Sequence, residues 1–152
     1  MANSTDDSTL IHLQKLSVGT ESIETLADWQ KRLRIRRGNE GLAAYPDHIT
    51  RMMPKQRKAL LNGGSVYWVI KGIIQCRNPI LDLQEMRTND GRKACRIVLD
   101  PELVPVVPMP RRAFQGWRYL SSDDAPKDLS SLGEAGNLPA SLRTKLVDLG
   151  AW

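Results

Sequence analysis

Ser65-Val66-Tyr67-Trp68-Val69-Ile70-Lys71-Gly72-Ile73-Ile74-Gln75-Cys76-Arg77, residues 65–77, carries the strongest strand signal in the chain. In an extended backbone Val66, Trp68 and Ile70 point one way, while Tyr67 and Val69 are also bulky and point the other way. A strand that is apolar on both faces must be covered on both, so it belongs at the centre of a sheet. Gly72 interrupts the run as at a bulge, and Ile73 to Arg77 resume the extended pattern until Asn78-Pro79.

Downstream, Ile80 to Arg87, the turn Thr88-Asn89-Asp90-Gly91 and Lys93 to Leu99 read as a hairpin, with Asp-Gly supplying the positive φ angles of a tight turn. Asp100-Pro101 ends it. Leu103 to Val107 suits an edge strand, because its flanking prolines cannot donate ladder hydrogen bonds in a central one. Upstream, Thr9 to Val18 alternates as a first strand. Thr20 or Ser22 then caps an amphipathic helix that carries Ile23, Leu26, Gln30 and Leu33 at helical spacing and ends in Lys31, Arg32, Arg34, Arg36 and Arg37 before Gly38. Pro54 opens a second, short helix that ends at Asn62-Gly63-Gly64.

The 152 residues are enough for one domain of ordinary size, and 41 % hydrophobic residues exclude a disordered or fibrous chain. The organisation expected is a flexible tail over 1–8, a single α+β domain over 9–120, a Ser-, Asp-, Gly- and Pro-rich linker over 121–137, and a C-terminal helix within 138–152 packing on the domain. The fold expected is a bent antiparallel sheet or small barrel flanked by about three helices. No apolar run approaches a membrane span, and the start of the chain lacks a basic and apolar leader. Two cysteines, Cys76 and Cys95, suit a reducing compartment, so a cytoplasmic protein without membrane partners is expected.

The net charge of +5 conceals an uneven distribution. Residues 31–118 carry 18 bases and seven acids, against one and five before them and three and five after. Six of the eight aromatics lie between 45 and 119, in the same region. Basic charge interleaved with aromatic rings is what phosphate attraction and base stacking require. The competing account is a solvated basic surface over an aromatic core.

Standard catalytic signatures are absent: no nucleophile elbow, phosphate-binding loop, zinc-protease helix or dinucleotide fingerprint occurs. His12, His48, Cys76 and Cys95 could in number make a zinc site, but no pair lies within five residues, so neither metal nor cofactor is expected. The residues that suit a nucleic-acid or nucleotide ligand are Arg51, Lys55, Trp68, Lys71, Arg77, Arg111, Arg112, Trp117, Arg118 and Tyr119. Pro110-Arg111-Arg112-Ala113-Phe114-Gln115-Gly116-Trp117-Arg118-Tyr119 is the most specific cluster, two arginines after a stiff approach and three aromatics around a glycine. An alternative is a small amide or nucleobase hydrolase with Lys71 as base, Glu85 as acid and Thr50 or Tyr67 as a positioning hydroxyl, which requires burial to lower the lysine pKa. A third possibility is a protein-interaction module using Leu142, Leu146 and Trp152.

The segments His48-Ile49-Thr50-Arg51-Met52-Met53-Pro54-Lys55, Gly63 to Gly72, Val98-Leu99-Asp100-Pro101-Glu102-Leu103-Val104 and Phe114-Gln115-Gly116-Trp117-Arg118-Tyr119-Leu120 resemble a family of short, chiefly alphaproteobacterial proteins known only as a domain of unknown function. That resemblance spans residues 9–128 and implies a cytoplasmic bacterial protein but no reaction. In order of elements alone, a short helix, a Gly-Gly turn, a Tyr-Trp strand and a later hairpin are also similar to PUA-like barrels of the ASCH and EVE type. That likeness implies RNA or modified bases as ligands, and amide hydrolysis in a few members. The Arg-rich helix and the C-terminal helix depart from the minimal barrel.

Overall fold

The computed structural model describes residues 10–132 apart from 43, 113 and 115. The elements run β1 (Ile11–Leu16), α1 (Ile23–Asn39), β2 (Asp47–Thr50), α2 (Arg57–Leu61), β3 (Ser65–Ile70), β4 (Ile73–Arg87), β5 (Lys93–Leu99), β6 (Val104–Pro110), β7 (Trp117–Ser121) and a 3-10 turn at Leu129–Leu132. No helix of the described residues is long and apolar enough to cross a membrane.

β3 is buried at every position, as its two apolar faces require. Val66, Trp68 and Ile70 pack with Leu13, Leu26, Leu60, Cys76, Leu83, Ile97 and Leu99 in the main core. Tyr67 and Val69 face a smaller cluster with Ile74, Val106 and Leu120 on the reverse side. Full burial of a side chain of this size stabilises the fold by about 1.5–3 kcal/mol, so the main core supplies most of the driving force.

Lys71 and Gly72 both have positive φ, 51° and 79°, and Ile70 pairs with Ile73 across them. They form a two-residue hairpin turn of the kind that matches strand twist, so Gly72 reverses the chain instead of bulging a continuous strand. The register irregularity in this hairpin falls between Trp68 and Val69. β4 then continues past Asn78-Pro79, where an interruption was expected. Its first half pairs with β3 and β6, and its second half with β5. A register shift between Ile80 and Asp82 marks where one strand passes between these two sets of partners.

The expected antiparallel sheet or closed barrel is not what forms. The strands make an open mixed sheet in the order β2-β5-β4-β3-β1-β7, with β6 attached to β4. β1 runs parallel to β3, Leu13 against Val66, and among the described residues it is flanked by β7 and β3. A parallel neighbour needs a long crossover, and residues 17–64, with α1, β2 and α2, provide it. Nothing local in the sequence marks the direction of that pairing. Closure would need β2 to pair with β7, but β2 has only four residues before the chain turns into the loop carrying Pro54. Two α-helices are present among the described residues where about three were expected; the third, over 139–149, lies outside them.

Ser22 caps α1 and accepts a hydrogen bond from the Thr25 amide at 3.1 Å. The helix buries Leu26, Gln30 and Leu33, a narrow stripe one residue wide. α2 delivers Leu60 to the core, and Gly64 follows it just before β3, where a side chain would collide with the carbonyls of Ile11 and Leu60 at 2.5 and 2.6 Å.

Candidate functional site

The register fixes which side chains face each other across the open sheet. Lys15 pairs with Trp68 on one side and Trp117 on the other, so all three leave the sheet on the main-core face, as do Leu13 and Tyr119. His48 and Thr50 on β2 are aligned with Ile97 and Cys95, both core residues, and so point inward from the opposite wall. β2 thus faces β1 and β7 across a seam that no backbone ladder closes among the described residues. Two side chains tie it: the Trp117 indole donates to the Met52 carbonyl at 3.0 Å, and the Tyr119 hydroxyl accepts from the Gln56 amide at 3.0 Å.

Two cavities open along this seam and share Lys15 and Ile49. The larger, about 830 Å³, is lined by Lys15, Thr50, Arg51, Met52, Trp117 and Tyr119, together with Ile49, Gly116 and Arg118. Among the described residues no carboxylate lines it. Trp117 and Tyr119 meet edge to face at 4.9 Å. Arg118 pairs with Gln14, so its side chain leaves from the reverse face, and its guanidinium lies 5.3 Å from the centre of the Phe114 ring. The charge inside the cavity therefore comes from Lys15 and Arg51.

The smaller cavity, about 390 Å³, lies between the end of β1, α1 and β2, and is lined by Lys15, Ser17, Thr20, Trp29, His48 and Trp68 among others. Here His48 is held between two indoles, its ring centre 4.9 Å from Trp29 and 4.3 Å from Trp68. Its Nε2 is buried and has no hydrogen-bond partner among the described residues. Burial, with the Lys15 charge nearby, holds the imidazole far below its ordinary pKa, at about 3. Burial also lowers the pKa of Lys15. Among the described residues no acid pairs with Lys15.

Of the residues singled out in the sequence, Thr50, Arg51, Trp117, Arg118 and Tyr119 come together at the larger cavity. Arg51 also borders a cavity of about 470 Å³ that includes Glu85, Arg87 and Lys93. The remaining residues are dispersed. Lys55 is exposed beyond Pro54, and Arg112 is exposed after β6. Arg111 donates to the Gln14 carboxamide at 3.2 Å. Trp68 is 1 % exposed and donates its indole N–H to Asn78, so it contributes only to the floor of the smaller cavity. Lys71 is exposed at the β3–β4 turn, 3.8 Å from Glu21. Its setting offers none of the burial that a lysine base needs.

Arg77 lies on the reverse face, aligned with Tyr67. It makes two hydrogen bonds to the Asp128 carboxylate, at 2.9 and 2.8 Å, and a third to the Ser65 hydroxyl. His12 accepts from the Ser65 amide beside it, and burial, aided by Arg77, lowers its pKa to about 4. Leu142, Leu146 and Trp152 lie outside the described residues.

Among the described residues no three His, Cys, Asp or Glu side chains are grouped to hold a metal. His12 and His48 sit on opposite faces, and burial raises the Cys76 and Cys95 thiols to about 12 and about 11. Sequence reasoning missed Lys15 and His48 as neighbours. The one available signal was a lysine on the same side of the strand as Ile11 and Leu13, since a cation on an apolar side needs a reason to be half-buried.

Residues 13–152 match the family model described as a protein of unknown function, DUF1489. No curated protein and no solved structure matches the chain.

Proposed function

The chain belongs to the DUF1489 family, whose function is not known, and we propose from its geometry that it binds a nucleotide or single-stranded nucleic acid in the seam, without catalysis. The observation that carries this is the 830 Å³ cavity, where two cations, Lys15 and Arg51, line the same space as the Trp117–Tyr119 pair and no carboxylate is among its described lining residues. Phosphate is attracted by unpaired cations in partly desolvated surroundings, and an aromatic pair next to them offers a stacking surface for a base. The volume lies within the range of sites for small organic ligands.

Fluorescence anisotropy with labelled single-stranded RNA and DNA, together with titration of nucleoside monophosphates, tests this. Affinity should fall about tenfold or more between 50 and 200 mM salt if even a few phosphates are contacted. Absence of binding at low salt to every oligonucleotide and nucleotide would overturn it.

A further inference from the structure

We propose that the smaller cavity is the base-recognition pocket of the seam, with the Nε2 nitrogen of His48 as its hydrogen-bonding group and Trp29 and Trp68 as its apolar walls. This rests on the nucleotide reading above and adds to it which part of the ligand goes where.

Three observations converge on the pocket. The Nε2 atom of His48 is buried without a partner among the described residues, whereas buried side-chain nitrogens are nearly always paired. The ring carrying that atom borders the cavity and lies between two indoles, so the pocket has π surfaces around one unsatisfied polar edge. Trp29 is 37 % exposed on α1 and is absent from the buried stripe of that helix, so core packing does not account for its position.

The pocket and the larger cavity are adjacent and have Lys15 and Ile49 as common lining residues. A ligand whose anion sits at Lys15 and Arg51 has its planar part within reach of His48. At about 390 Å³ the pocket is near the lower bound of small-ligand sites, a size suited to one planar heterocycle and not to a second nucleotide. The neutral imidazole carries a donor on one nitrogen and an acceptor on the other, and because the two diverge from the ring a heterocycle edge meets only one of them, here the unpaired Nε2.

The chain has only two histidines, so the imidazole ¹⁵N resonances of labelled protein separate into two sets. Adenosine, guanosine, cytidine and uridine should be titrated without phosphate, followed by their monophosphates and by inorganic pyrophosphate. At least one nucleoside should shift the His48 nitrogens and leave His12 unmoved. His48→Phe keeps a ring between the indoles but removes both nitrogens; it should weaken that nucleoside about tenfold while pyrophosphate binds as before.

Nucleotides that bind with His48 silent, or that bind His48→Phe as they bind the wild type, would overturn the pocket and leave the phosphate site standing. Binding of pyrophosphate alone, lost in Lys15→Ala, would do the same. If neither pyrophosphate nor any nucleotide binds, both readings fall. Should His48→Phe fail to fold, the wild-type resonances decide between these outcomes.

Discussion

The carboxamides of Gln30 and Asn78 bond each other in both directions, at 2.9 and 3.1 Å, and join α1 to the middle of β4. Asn78 is fully buried, and its remaining capacity goes to the Trp68 indole at 2.8 Å and to the carbonyls of Asp100 and Glu102. One amide therefore holds together the helix, the central strand and the loop after β5.

Replacing Asn78 by Leu strands the Gln30 amide, the Trp68 N–H and two carbonyls, while replacing Gln30 by Leu leaves Asn78 with its other partners. At about 1–3 kcal/mol for each buried group left without a partner, Asn78→Leu should be the more destabilising change by at least about 2 kcal/mol. Urea melts of both variants and of the double variant check this, and the double variant should cost less than the sum of the two.

Gly64→Ala places a methyl carbon against two backbone carbonyls that belong to β1 and α2, neither of which can move without disturbing Leu60 or the β1–β3 ladder. A loss of about 2–4 kcal/mol is expected. Gly91, whose added carbon would meet nothing, provides the control for space alone, although its φ of 83° adds strain of its own. Thermal melts of the two variants separate collision from strain.

Both histidines are held neutral, His12 at about 4 and His48 at about 3, below the ordinary value of 6.5. Below about pH 6.5 the unfolded chain takes up protons that the folded chain refuses, so stability falls as pH drops through the window from 6.5 to about 4 for His12 and to about 3 for His48. Each histidine contributes a slope of at most about 1.4 kcal/mol per pH unit, and above the window neither contributes. Denaturant midpoints at several pH values between 7 and 4.5 should show this decline, and His48→Phe should remove about half of it. A midpoint that stays constant over that range would contradict the burial of both rings.

Trp117→Ala should weaken oligonucleotide binding by about 1–3 kcal/mol if the ring stacks a base. Trp117→Phe keeps a stacking face but loses the N–H bond to Met52, so its binding should stay near that of the wild type while stability falls by about 1 kcal/mol. Lys15→Ala and Arg51→Ala should each weaken binding similarly across sequences and flatten the salt dependence. Anisotropy titrations at two salt concentrations, paired with melts, distinguish these effects.

Local chemistry made part of this legible before any coordinates. The doubly apolar β3, the β4–β5 hairpin with its Asp90-Gly91 turn, and the Ser22 cap of α1 are written in runs of a few residues, where side-chain period and backbone preference act directly. The parallel partner of β1 is not written that way, because direction is chosen by what α1 and β2 bury far along the chain. The strand at Asp47–Thr50 is too short to show a period. The same limit applies to the site. Arg51, Trp117 and Tyr119 stand out as residue types, but the meeting of the two aromatics with Lys15 depends on a ladder that pairs Lys15 with Trp117 and Leu13 with Tyr119, residues far apart along the chain.

β4 also sets an order of assembly. Among the described residues it takes part in three of the six ladders, and tight turns join it to β3 and β5, so those two hairpins close over short loops and can form early. β1 and β7 dock on that meander only after much longer loops close, which makes them the natural last step of folding and the first to detach in the native state. Their amides should exchange hydrogen faster than those of β3 and β4. One wall of the seam thus rests on strands held through long loop closures, and a molecule that bridges the two walls should slow exchange in β1 and β7. That footprint can be read strand by strand even when the identity of the bound molecule is unknown.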